Sequence, residues 1–133
     1  MKILILGYGA VGSVLARLLQ KEDGVTSVLS ADLCFKEEKK IEKMHHININ
    51  LKNQSQFLDI LEKHMPDLII NATSPQFNSD ILKECAKFGI NYMDMAACWE
   101  PDPDKNALSP YKIEQFDFDK QFRGKNILGL IES

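Results

Sequence analysis

Cysteine is scarce in this chain and carries no pattern. Three occur in 133 residues, Cys34, Cys85 and Cys98. The number is odd, the spacing is wide, and no pair shows C-x-x-C, so neither a disulfide framework nor a zinc site is expected. Free thiols in a cytoplasmic protein are the simpler expectation, with Cys85 on the apolar side of a helix and in the core. Basic charge is not in excess either. Sixteen Lys and Arg face nineteen Asp and Glu, a formal charge of −3, so binding to a nucleic-acid backbone has no electrostatic support. No apolar stretch nears the roughly 20 residues of a bilayer span, and no membrane partner is expected. Only Ile3 to Leu6 separate Lys2 from Gly7, too few for the hydrophobic region of a signal peptide. The chain has no repeats and no low-complexity segment.

Apolar residues make up 44% of the chain, enough for one packed core. Short apolar runs alternate with helical patterns. "KILIL" (2–6) reads as a buried strand ended by glycine. Val11, Val14, Leu15, Leu18 and Leu19 follow at the spacing of one helical face. "VTSVLSAD" (25–32) reads as a second strand, "FKEEKKIEKM" (35–44) as an exposed charged helix, and "HHININL" (45–51) as a third strand. Asn53 and Gln56 have the spacing of a capping box for the next helix, which Pro66 stops. "DLIINAT" (67–73) is the fourth strand. Asn78 is expected to cap a helix through Phe88, with Gly89 in the left-handed position after it. "INYMDMA" (90–96) is the fifth strand. A loop from Glu100 to Pro110, a short helix near 112–122 and a sixth strand over 126–133 complete the pattern. Strands alternating with helices predict an α/β fold with a parallel sheet and right-handed crossovers.

Gly7, Gly9 and Gly12 form G-x-G-x-x-G directly after a strand and at the start of a helix, the context in which this pattern binds a dinucleotide. Gly7 permits the tight turn, Gly9 lets backbone approach a pyrophosphate, and Gly12 lets helix and strand pack closely. The loop Gly7-Tyr8-Gly9-Ala10-Val11-Gly12 is therefore the candidate cofactor loop, helped by free N–H groups and the helix dipole. A glycine-rich turn without ligand is the plainer reading. Asp32, at the end of the second strand, can accept hydrogen bonds from the adenosine ribose and repels a 2′-phosphate. NAD is thus expected over NADP, with NADP as the alternative and Lys36, Lys39 and Lys40 as the nearby cations. Otherwise Asp32 merely ends a strand. The fold expected is one Rossmann-type doubly wound sheet of six strands across residues 1–133.

The stretch "LIINATSPQFNSDILKECAKFGINYMDMAACW" resembles the saccharopine dehydrogenase family. Asn71, Ala72, Thr73, Ser74 and Pro75 match the family's turn after the fourth strand, and Tyr92 and Asp94 match its Tyr-x-Asp strand. The terminal "NILGLIES" is similar to the strand that precedes the family's second domain. The resemblance implies hydride transfer between a nicotinamide and the carbon of a secondary amine or imine in an amino-acid or polyamine-like substrate. It places Thr73, Ser74 and Pro75 at the carboxyl end of the fourth strand, where the nicotinamide half would lie; the other role open to that turn is capping the next helix. Asn50 and Leu51, at the end of the third strand, are the adenine-pocket candidates.

Asp94 and Trp99 could reach the substrate side, although a strand-end carboxylate and loop packing are their commoner roles. His45, His46 and His64 read as structural, no metal site is expected, and no catalytic residue is assigned. One dinucleotide unit consumes all 133 residues, so the substrate is expected to be held by a second domain and the chain alone to be inactive. A homodimer is compatible with this reading. The competing expectation is a nucleotide-sensing regulatory domain of the kind that gates potassium transport, which shares the glycines and the acid but differs after residue 70.

Overall fold

Lys2–Leu6 form β1, and all four residues from Ile3 to Leu6 are buried. Such a run suits only a strand covered on both faces. The computed structural model describes residues 1–35, 42–104 and 108–132 and sets β1 inside a six-stranded parallel sheet. Its other strands are β2 (Ser27–Asp32), β3 (Met44–Asn48), β4 (Leu68–Asn71), β5 (Asn91–Asp94) and β8 (Gly129–Leu130). The order is β3-β2-β1-β4-β5-β8, with Ile5 opposite both Ser30 and Ile70. This order is that of a doubly wound dinucleotide fold, whose switch point falls between β1 and β4.

Alternate residues feed two cores. On one face Leu4, Leu6, Ile69 and Tyr92 meet Phe57, Ile60 and Leu61 of α2 (Gln54–His64), Leu82 and Cys85 of α3 (Asn78–Phe88) and Phe122 of α4 (Asp119–Lys125). On the other, Ile3, Ile5, Val28 and Ile70 meet Ala16 of α1 (Ala10–Leu19).

The inward face of α1 differs from the expected one. Gly12 and Ala16 are buried and Leu15 and Leu19 are half-buried, but Val11, Val14 and Leu18 are exposed. The two small residues, four apart, let the helix come close to the sheet, and the line of contact follows them rather than the larger apolar stripe. At α2, the Asn53 side chain accepts from the Gln56 N–H as expected, at 3.4 Å. The Gln56 side chain, however, reaches past Asn53 to the N–H of Asn50, at 3.2 Å, so the box is only half closed. Met65 takes the left-handed position before Pro66 (φ 45) and Gly89 takes it after α3 (φ 73).

Asn78 does not cap α3. It is the first helical residue, preceded by a 3₁₀ turn over Pro75–Phe77, and its side chain is buried. The helix expected over 35–44 falls mainly outside the described residues, with Met44 already in β3. β3 stops at Asn48 because Asn50 turns the chain, its side chain accepting the Lys52 N–H at 3.0 Å. The stretch expected as a plain loop is flanked by a small antiparallel ribbon, β6 (Trp99–Pro101) with β7 (Tyr111–Ile113). The helix expected near 112–122 is therefore a strand, a 3₁₀ helix (Glu114–Phe118) and α4 in succession. Among the described residues of the expected sixth strand, Gly129 and Leu130 pair with β5. Among the described residues no helix is long and apolar enough to cross a membrane.

Candidate functional site

The three glycines do different work at the end of β1. Gly7 has φ +90, and a Cβ on it would stand 2.7 Å from the Ala72 carbonyl oxygen. That position needs glycine for its conformation and for its closeness to the end of β4. A Cβ on Gly12 would stand 2.0 Å from the Gly7 carbonyl oxygen, so the first turn of α1 closes directly on the loop. At Gly9 nothing lies within 4 Å of the added atom. The loop is filled from within at Gly7 and Gly12 and bare at Gly9, on the side a ligand would approach. The first helical bond runs from the Ser13 N–H to the Gly9 carbonyl at 3.0 Å. The N–H groups of Ala10, Val11 and Gly12 thus precede the bonded ladder and form the positive end of α1.

Asp32 closes the next side. Its carboxylate accepts the Tyr8 N–H at 2.5 Å and the Leu33 N–H at 2.6 Å, while the Gly7 N–H donates to the Ala31 carbonyl at 2.8 Å. The end of β2 and the glycine loop are thereby one unit. Two carboxylate oxygens hold more acceptor sites than these two donors fill.

An open cleft of about 440 Å³ lies between the ends of β1, β2, β3 and β4. Gly7, Gly9, Asp32, Asn50, Leu51 and Thr73 all line it. Leu33, Lys52, Gln76 and Phe77 line it too, and no motif in the sequence marks them. Gln76 and Phe77 enter because the 3₁₀ turn after Pro75 folds them back over the end of β4. The remaining candidates do not face the cleft. Tyr8 turns its ring away to Phe35 and His46, with centroids 5.0 and 4.7 Å apart. Ala10 and Val11 are exposed on the first turn of α1, Gly12 is buried beneath it, and Ser74 and Pro75 start the 3₁₀ turn beside Thr73.

Behind Thr73 lies a buried polar cluster made of Asn71, Asn78, Tyr92, Asp94 and Gln115. Asp94 belongs to it rather than to the cleft. Its carboxylate accepts from the Tyr92 hydroxyl at 3.1 Å, the Gln115 side-chain amide at 3.0 Å and the Glu132 N–H at 3.1 Å. Burial pushes the Tyr92 phenol well above the usual range, so it stays a donor. Trp99 is 59% exposed on β6. His46 stacks on Phe35 at 4.4 Å and burial holds its pKa down. Burial, with Lys63, does the same for His64 at the end of α2. Among the described residues no group of three or more His, Cys, Asp or Glu could hold a metal ion.

Comparison with known proteins gives the same architecture. The carboxynorspermidine synthase of Vibrio alginolyticus is 24% identical over 98% of this chain and 35% of its own length. The apo saccharopine dehydrogenase (L-Glu forming) of Saccharomyces cerevisiae superposes with a TM-score of 0.70 at 14% identity, covering 98% of this chain and 26% of that one. The dTDP-glucose 4,6-dehydratase of Bacillus anthracis, in complex with NAD, does so with a TM-score of 0.67 at 12% identity, covering 98% and 53%. This chain spans about a third of the length of that Vibrio relative. The model of the saccharopine dehydrogenase NADP binding domain matches residues 3–128, nearly all of the chain, and the protein belongs to that family.

Proposed function

We propose that this chain is the dinucleotide-binding part of a longer oxidoreductase that acts on a secondary amine or imine of an amino-acid or polyamine-like substrate. One observation carries the reading. The space in front of Gly9 is empty of protein, and it opens into the same cleft as the Asp32 carboxylate. A pyrophosphate needs the first feature and a ribose the second.

In this reading the loop from Gly7 to Gly12 offers N–H groups to the pyrophosphate. Asp32 accepts from the ribose hydroxyls with its remaining acceptor sites. Asn50 and Leu51 border the adenine, and Thr73 borders the nicotinamide end, on a turn that Ser74 and Pro75 form outside the cleft. Bound there, the nicotinamide supplies the hydride acceptor or donor. The residues of this chain bind and orient it. The Asp32 carboxylate favours NAD over NADP, although the matching family is described by NADP; the counteracting Lys36, Lys39 and Lys40 lie outside the described residues. The family match continues past residue 70, where the dehydrogenase and the regulatory reading part, and this supports the dehydrogenase. The groups that contact substrate belong, on this proposal, to a further domain. A homodimer in the cytoplasm completes it.

Calorimetric titration of the chain with NADH and NADPH tests the reading. NADH should bind at least about tenfold more tightly, a gap of about 1.4 kcal/mol. Absence of binding by either overturns the proposal, and tighter NADPH binding overturns the role of Asp32. Assays with saccharopine, or with a diamine and an aldehyde, should show no turnover by these 133 residues alone.

A further inference from the structure

The buried cluster behind the cleft has a direction. Thr73 links it to the cleft wall. Its methyl group lies against the glycine loop, 3.0 Å from where a Cβ on Gly7 would be. Its hydroxyl lies within 2.6 Å of Asn71 Oδ1, and the same oxygen takes the Thr73 N–H at 3.1 Å. A backbone N–H can only donate, so the atom facing Thr73 must be the amide oxygen of Asn71. The hydroxyl then has to give it its proton.

The far end of the cluster demands the same sense. Asp94 is 1% exposed and its carboxylate accepts from three donors, one of them the Tyr92 hydroxyl. With its proton turned to Asp94, Tyr92 Oη is an acceptor toward Asn71, and Asn71 Nδ2 lies 3.3 Å from it. Asn71 Nδ2 also donates to Asn78 Oδ1 at 2.8 Å, and Asn78 in turn donates to the Ala96 carbonyl at 2.8 Å. Protons point inward at every step from Thr73 through Asn71 and Tyr92 to Asp94. An array settled from both ends does not reverse without leaving a buried group unpaired.

We infer that Asn71 is a positioning residue which commits the Thr73 proton inward, so that Thr73 Oγ1 meets a cleft ligand only as an acceptor and reads an N–H donor, the carboxamide of a nicotinamide. This rests on the dinucleotide reading. A threonine free to rotate would donate to a carbonyl there equally well. A threonine held in this way does not.

The probes are NADH and its reduced 3-acetylpyridine counterpart, in which a methyl group replaces the carboxamide nitrogen and the carbonyl is kept. Fluorescence titration of the parent should give about tenfold tighter binding of NADH. Thr73→Val keeps the shape and loses the acceptor, and the ratio should fall close to one. Thr73→Ser should keep it. Asn71→Leu should lower the ratio by freeing the hydroxyl proton, and if that variant does not fold, the two Thr73 variants decide. NADH binding with no preference in the parent, or a preference that survives Thr73→Val, overturns the inference and leaves the dinucleotide reading standing. Failure of the parent to bind NADH overturns both.

Discussion

The backbone N–H of Tyr8 donates to the carboxylate of Asp32 across 2.5 Å. The residue expected to read the ribose is thus also the one that fastens the glycine loop to β2. Asp32→Ala should therefore weaken both cofactors, because the loop loses its anchor. It should weaken NADH more, because the ribose contact goes as well. Hydrogen bonds to a charged group are worth about 1.5–3 kcal/mol, so the fall for NADH should reach about tenfold or more. Asp32→Asn, which keeps one acceptor oxygen, should lie between. Unchanged affinity for NADH in Asp32→Ala would show that the carboxylate neither anchors nor reads.

The glycines should separate stability from binding. Gly9→Val adds atoms where nothing lies within 4 Å, so thermal unfolding should be unchanged and NADH binding abolished. Gly12→Ala places a Cβ 2.0 Å from the Gly7 carbonyl oxygen. The clash is with backbone and cannot be relieved by a rotamer change, so a loss of about 2 kcal/mol or more is expected in denaturant unfolding. Equal stability of the two variants would contradict the division of labour drawn here.

The exposed stripe on α1 gives a third test. Val14 and Leu18 are about half exposed, at 46% and 56%, whereas Ala16 is fully buried. Val14→Lys and Leu18→Lys should each change the unfolding free energy by no more than about 0.5 kcal/mol. Ala16→Glu should cost about 3 kcal/mol or more, since it drives a carboxylate between helix and sheet. A large loss at Leu18 would mean that another surface covers this face in solution.

The three thiols should react in a fixed order. Cys34 is exposed, Cys98 half-buried and Cys85 buried. Burial pushes the Cys85 thiol far up, and Cys98 is raised by its hydrogen bond to Glu114. Since the thiolate is the reactive form, alkylation followed by mass spectrometry should label Cys34 first, Cys98 more slowly, and Cys85 only in denaturant. Early labelling of Cys85 would place it outside the core.

The parallel sheet and the glycine loop were legible because each is demanded locally. A buried strand must be apolar throughout, and a φ of +90 at Gly7 admits little else. The face of α1 misled because Val11, Val14 and Leu18 outnumber Gly12 and Ala16 in any apolar pattern, while close approach is set by the smaller pair. The ribbon of β6 and β7 left no trace because three-residue strands carry no period. The cluster around Asn71 joins residues as distant as Thr73 and Gln115, and no spacing announces partners that meet only after folding. Gln76, Phe77 and Lys52 enter the cleft for the same reason: a turn bends them in, and its geometry is not written in residue type.

The all-parallel sheet also sets how the chain must fold. Ile3 stands opposite Val28 on one side and Leu68 on the other, and no two neighbouring strands of this sheet are joined by a tight turn. Each ladder must wait for a whole crossover to close, and that loss of loop entropy precedes any gain. Refolding is accordingly expected to be slow for a chain of this size. The exposed interval falls hardest on β1. It is made before the other strands of this sheet, is apolar from Ile3 to Leu6, and finds its second neighbour only when Leu68 arrives. Until then at least one bare edge and two oily faces are open to another copy, which makes the strand that later anchors the cleft the point at which nascent chains would stick together.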